Sequence, residues 1–337
     1  MSNQPFWEQP GRNPVVAAFV LCALIMAVYG FLGSTVSGGL VFIDTIGDIL
    51  HDSGAVGTPD AKAGDILEMM AQVYRRYQVP ILVLTTLLQF AVFFGLTALV
   101  FRAWHGRPIG GYFRLGRPRP LALLLAGLGT VCLLPVAIFL GELASRALPI
   151  LRQLEGIGNA LVEADSPAEW ALVIFAIGVT PALCEEFLFR GYFQRTLDRG
   201  LRQPWSYIVS GLFFALIHQN YFGLAALSLV GIFLGFVFAR FGSFWPGVAV
   251  HGLYNGVQVI MANRPAWFGW LFDANGFVRL PLAGLGLVGF LLVAWLIIRL
   301  TRPEGTLAAA PETAANAALT RPPAAAASVE ATTVNHD

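Results

Sequence analysis

Pro181-Ala182-Leu183-Cys184-Glu185-Glu186-Phe187-Leu188-Phe189-Arg190-Gly191 sets three charges inside an otherwise apolar run. The uncharged part of that run, Trp170–Cys184, falls short of the about 20 residues that a membrane crossing needs. It reaches that length only if one helix continues through Glu185, Glu186 and Arg190 to about Phe193. The rest of the chain decides whether such a helix sits in water or in lipid. Of 337 residues, 56% are hydrophobic and 12% are charged. A soluble globular domain carries about 25% charge. The composition therefore excludes an ordinary soluble enzyme and a largely disordered chain. Ionisable groups inside a span are costly, so their presence marks function.

Working outward, charge-poor windows predict seven further spans. They are Pro14–Leu32, Val79–Phe101, Pro120–Gly141, Trp205–His218, Phe222–Ala239, Phe244 to about Met261, and Leu280–Ile298. The expected fold class is all-α, a polytopic transmembrane helical bundle of about eight spans. Arg102, Arg107, Arg114, Arg117 and Arg119 follow the second span, and Arg195, Arg199 and Arg202 follow the fourth. Arg240 follows the sixth, and Arg299 and Arg302 follow the eighth. With eight spans these all fall on one side, the cytoplasmic one, together with both termini. Residues 34–78 read as a long acidic extracytoplasmic loop within an N-terminal membrane region, 14–141. That loop holds an amphipathic helix at Gly64–Tyr77. Residues 142–167 form a second extracytoplasmic loop, 168–261 the functional core, and 262–302 the last loop and span. The cytoplasmic end segments are 1–13 and 303–337. The second is rich in Ala, Pro and Thr and is expected to be disordered. Twenty arginines against one lysine point to a bacterial inner (plasma) membrane.

The polar groups cluster. Glu186 and Arg190 are four apart and share a helix face, where they can pair. Glu185 lies about 100° round the helix and lacks that partner, which suits a general base. His218 ends the fifth span. His251 and Asn255, also four apart, can present two donors to one oxygen, as an oxyanion site requires. Bland readings exist for each group: a cytoplasmic helix end, an interfacial histidine, a hydrogen bond between helices. Together they supply what water attack on an amide needs. Net charge is +1, which gives no ground for a nucleic-acid partner.

These motifs, Glu185-Glu186-xxx-Arg190, Phe214-xxx-His218 and His251-xxx-Asn255, resemble those of the CAAX-processing and bacteriocin-processing family of intramembrane proteases. Its eukaryotic member is the type II CAAX prenyl endopeptidase, and many bacterial members are called Abi-type proteins. The resemblance covers about residues 168–261. It implies an endopeptidase in which Glu185 activates water with help from His218. His251 and Asn255 would stabilise the oxyanion, while Glu186 and Arg190 hold the geometry. It implies no cofactor, and a peptide or membrane-protein substrate met in the lipid bilayer, with no nucleic acid involved. Other readings stay open. His218, His251 and Glu185 match a zinc site with two histidines and one carboxylate, and Cys184 is a formal nucleophile. A non-catalytic immunity or scaffold protein and a proton-coupled carrier are the non-enzyme alternatives.

Overall fold

A computed structural model describes residues 12–51, 63–105, 109–147, 158–218, 220 and 223–301. Its principal helices are α1 (Pro14–His51), α2 (Ala63–Arg76), α3 (Gln78–Trp104), α4 (Pro120–Ala147) and α5 (Pro167–Leu197). They continue as α6 (Trp205–Ile217), α7 (Leu224–Phe241), α8 (Trp245–Asn263) and α9 (Leu280–Leu300). Among the described residues the one extended pairing is a single bridge between Phe272 and Val278. The expected all-α bundle is thus observed. Among the described residues six helices are long and apolar enough to cross a bilayer: α1 as far as Leu40, α3, α4, α5, α7 and α9. The two other expected spans are present as helices. However, α6 has only 13 residues, and α8, with 19, carries His251, Asn255 and Gln258.

The loop expected over 34–78 begins later than the sequence suggested. α1 continues to His51, because no proline interrupts it before Pro59 and Val41-Phe42-Ile43 prolong its apolar run. The helix expected at Gly64–Tyr77 is α2. Its Arg75 bonds Gln78, the Glu163 carbonyl, Asp165 and Glu169, tying α2 to the start of α5. The end segments at 1–11 and 302–337 lie outside the described residues.

Burial identifies α5 as the centre. In its most apolar window 61% of residues are buried, against 22–50% for the other five spans. α9 shows the peripheral pattern. Gly286, Val293 and Ile297 face inward, while Leu285, Val288, Leu291, Leu292 and Trp295 are exposed. Water would make that outer face unfavourable by about 25 cal/mol per Å²; hydrocarbon does not. Helices in lipid associate through close packing rather than hydrophobic burial, so small residues sit at the crossings. A Cβ on Gly211 of α6 would lie 2.4 Å from the Ile232 backbone nitrogen of α7, and one on Gly286 would lie 2.6 Å from the Cys132 carbonyl of α4.

The arginine-rich stretch between α3 and α4 does not stay outside. A helical turn at Ile109–Tyr112 leads Phe113, fully buried, under α5, where its ring stacks on Phe187 at 4.2 Å. Only glycine fits opposite, since a Cβ on Gly191 would meet Phe113 at 2.2 Å. The Phe244 amide donates to the Arg114 carbonyl (3.1 Å) and Trp245 Nε1 to the Leu115 carbonyl (3.1 Å). The start of α8 is thereby fixed on this segment.

Candidate active site

α5 carries the carboxylates on a helix with altered winding. Two π-helical turns, Ile174–Val179 and Phe187–Gln194, flank Thr180–Glu186. Such turns occur often at functional sites. Pro181 has no N–H, so it cannot donate to the Ile177 carbonyl four residues back. Asn255 of α8 makes that bond instead, with Nδ2 3.0 Å from Ile177 O. An imperfection in one helix thus becomes the docking point for the helix that brings His251.

Glu186 and Arg190 are fully buried and pair at 3.1 Å between Oε1 and Nη1. Arg190 Nη2 also donates to the Gly231 carbonyl of α7 (2.8 Å), and one turn further Gln194 donates to the Gly235 carbonyl (2.9 Å). His251 Nδ1 lies 3.2 Å from Glu186 Oε1. A Cβ on Gly247 would stand 2.8 Å from Glu186 Oε2, so the first turns of α8 pass this carboxylate closely only because residue 247 is glycine.

Glu185 faces the two histidines. Its Oε2 is 3.5 Å from His218 Nε2 and 4.0 Å from His251 Nε2. This oxygen is buried and has no hydrogen-bond partner among the described residues. The far nitrogens of both rings are committed: His218 Nδ1 to the Phe214 carbonyl (2.6 Å) and His251 Nδ1 to Glu186. Each Nε2 is thereby aimed at Glu185. The Phe214 ring packs against both imidazoles, with centroids 4.4 Å and 5.6 Å away, and beneath the Arg190 guanidinium at 4.8 Å.

Depth is matched by helix length. Glu185 stands twelve residues above Leu197 at the end of α5, and His218 follows the thirteenth residue of α6. At 1.5 Å per residue both rise about 18–20 Å, so the short helix ends at the level of the carboxylate. A cavity of about 480 Å³ opens there, lined among others by His218, His251, Tyr254 and Asn255. It runs on to Glu142 and Ser145 near the C-terminal end of α4.

The structure therefore brings together Glu185, Glu186, Arg190, His218, His251 and Asn255 from α5, α8 and the end of α6. Cys184 is buried in the apolar core. Among the described residues no group of three or more His, Cys, Asp or Glu side chains is disposed to hold a metal ion. Sequence reasoning missed the α4 wall, the α7 carbonyls and Gly247. For the α7 carbonyls no side-chain signal exists, and nothing local in the sequence ties Glu142 and Ser145 of α4 to the site. For Gly247 the signal was available beside Pro246, but it acquires meaning only from the approach of Glu186.

Residues 167–257 match the family model described as Type II CAAX prenyl endopeptidase Rce1-like. No curated protein and no solved structure matches the chain. The matched residues hold α5, α6, α7 and most of α8, with Glu185, Glu186, Arg190, His218 and His251. Residues 167–257 are thus similar to the type II CAAX prenyl endopeptidase Rce1-like family, a likeness that supports a CAAX-type intramembrane protease.

Proposed function

We propose that this protein is an intramembrane endopeptidase that hydrolyses a peptide bond with a water activated by Glu185. One observation carries the reading. Glu185 Oε2 is buried without a hydrogen-bond donor among the described residues, between two imidazole nitrogens at 3.5 and 4.0 Å whose rings line a cavity. A carboxylate so placed accepts a proton from water while His218 orients the oxygen. The hydroxyl adds to the scissile carbonyl carbon. The oxyanion receives a hydrogen bond from the Asn255 amide hydrogen not held by Ile177, and a second from His251 Nε2–H in the imidazolium form, since Nδ1–H is given to the Glu186 carboxylate. Glu185 then passes its proton to the amide nitrogen as the C–N bond breaks, giving a carboxylate and an amine. Glu186 and Arg190 orient His251 and touch no reacting atom. The substrate is a peptide segment entering from the Glu142 end, which is extracytoplasmic if the arginine-rich end faces the cytoplasm.

The test uses the purified full chain in detergent with a reporter-peptide library. Glu185→Gln is expected to lower turnover by a factor of about 100 to 10,000, with the thermal transition unchanged. Turnover retained in that variant overturns the assignment. Metal analysis of the same sample separates the mechanisms. Full activity without bound zinc supports the glutamate–water route. Stoichiometric zinc, with activity lost on chelation and restored by metal, makes His218, His251 and Glu185 ligands instead.

A further inference from the structure

A second cavity, of about 630 Å³, lies at the opposite end of the bundle. Its walls come from the segment 110–119, the first turn of α4, the last turns of α7 and α9, and the approach to α8. Arg114, Arg117, Arg119 and Arg240 line it, and among the described residues no acidic side chain does. Arg240 is fixed. Its Nε donates to Thr301 Oγ1 (3.0 Å) and its Nη2 to the carbonyls of Ile298 (2.7 Å) and Thr301 (2.6 Å). Arg114 lies over the Phe238 ring at 5.2 Å. Arg117 and Arg119 are exposed at the rim. Ser243 supplies an independent sign. Its side chain lines the cavity and is 8% exposed, yet its hydroxyl has no partner among the described residues.

We infer that this cavity is a binding site for a phosphate-bearing anion, of the kind an anionic phospholipid headgroup presents. Arg114 also lies within electrostatic reach of Asp198, whereas Arg117, Arg119 and Arg240 put like charges around one space, and an anion between them turns that repulsion into attraction. The planar guanidinium fork matches phosphate oxygens, and the Ser243 hydroxyl donates to the same group. The position is that of a headgroup: the cavity lies among helix ends at the arginine-rich end of the bundle, where basic pockets between spans take up anionic lipids. The inference does not depend on the proposed proteolysis, and its test reads binding only.

The full chain in detergent is titrated calorimetrically with short-chain phosphatidylglycerol, short-chain phosphatidylcholine and inorganic phosphate. Phosphatidylglycerol is expected to bind, and phosphatidylcholine much more weakly. Arg117→Gln with Arg119→Gln weakens binding about thirtyfold, and Ser243→Ala about fivefold. Arg102→Gln with Arg299→Gln, at the same end but outside the cavity, leaves it unchanged. Inorganic phosphate that competes identifies a soluble phosphate compound as the source, whereas failure to compete identifies lipid; either supports the site. Equal binding of both lipids overturns it. So does equal weakening by the two arginine pairs, or an unaltered Ser243→Ala, with the thermal transition confirming folding.

Discussion

Arg190 is the residue on which the arrangement turns. A guanidinium with no exposed surface costs several kcal/mol to desolvate. It is held here by Glu186 at 3.1 Å and the Gly231 carbonyl at 2.8 Å. Breaking such a pair leaves an uncompensated buried charge. Arg190→Met is therefore expected to destabilise the protein by about 3–5 kcal/mol, read from unfolding in detergent. The double change Glu186→Gln with Arg190→Met should cost less than the sum of the two single changes, and strict additivity would show the pair to be uncoupled. The pairing was legible in the sequence because four residues bring two side chains onto one helix face. The bond that holds Asn255 was not. Spacing placed Asn255 beside His251 as a donor, whereas the Ile177 carbonyl it bonds is one to which Pro181 cannot donate.

At the scale of elements, α6 and α7 govern where His218 stands. Their backbones approach so closely at Gly211 and Gly231 that a Cβ on Gly231 would lie 2.6 Å from the Gly211 carbonyl. Backbone cannot yield as a flexible side chain can. Gly211→Ala is expected to cost about 1–3 kcal/mol and to lower turnover by displacing His218 from Glu185. A variant as stable and as active as the parent would mean that the crossing tolerates separation. The Gly231-xxx-Gly235 pattern was readable as close packing within the chain, and that is where it acts: Gly235 sits against Gln194 and Tyr207. The inward fold of 109–115 was not readable. Its arginines marked it as loop, and nothing local signals that Phe113 finds a gap at Gly191.

For the whole molecule, hydropathy gave the all-α membrane bundle because lipid-facing helices must be apolar along their length. It erred where that constraint lapses. α1 runs on past Leu40 to His51, and the full extent of a helix beyond the hydrocarbon layer leaves no hydropathy signature. The two cavities lie at opposite ends, so orientation is open to experiment. In intact cells a membrane-impermeant maleimide is expected to modify Gln258→Cys from outside. Arg117→Cys should react only after lysis, both judged against the parent's own cysteines. The reverse pattern would turn the bundle over and place the cavity lined by His218 and His251 on the cytoplasmic side.

The shortness of α6 bears on the bilayer itself. Thirteen residues span about 20 Å, whereas the hydrocarbon layer is about 30 Å thick. Lipid beside α6 must thin, or the helix must be flanked by water, and either is a hydrophobic mismatch. A transmembrane peptide keeps its helical hydrogen bonds because hydrocarbon offers no substitute for them. On the proposed role of Glu185, a substrate helix beside α6 loses that protection at the depth of this carboxylate and can fray there to offer an extended peptide bond to attack. Turnover of a membrane-spanning substrate is then expected to rise as the acyl chains of the host bilayer are shortened. A soluble peptide substrate should show no such dependence, because it brings no helix to unwind.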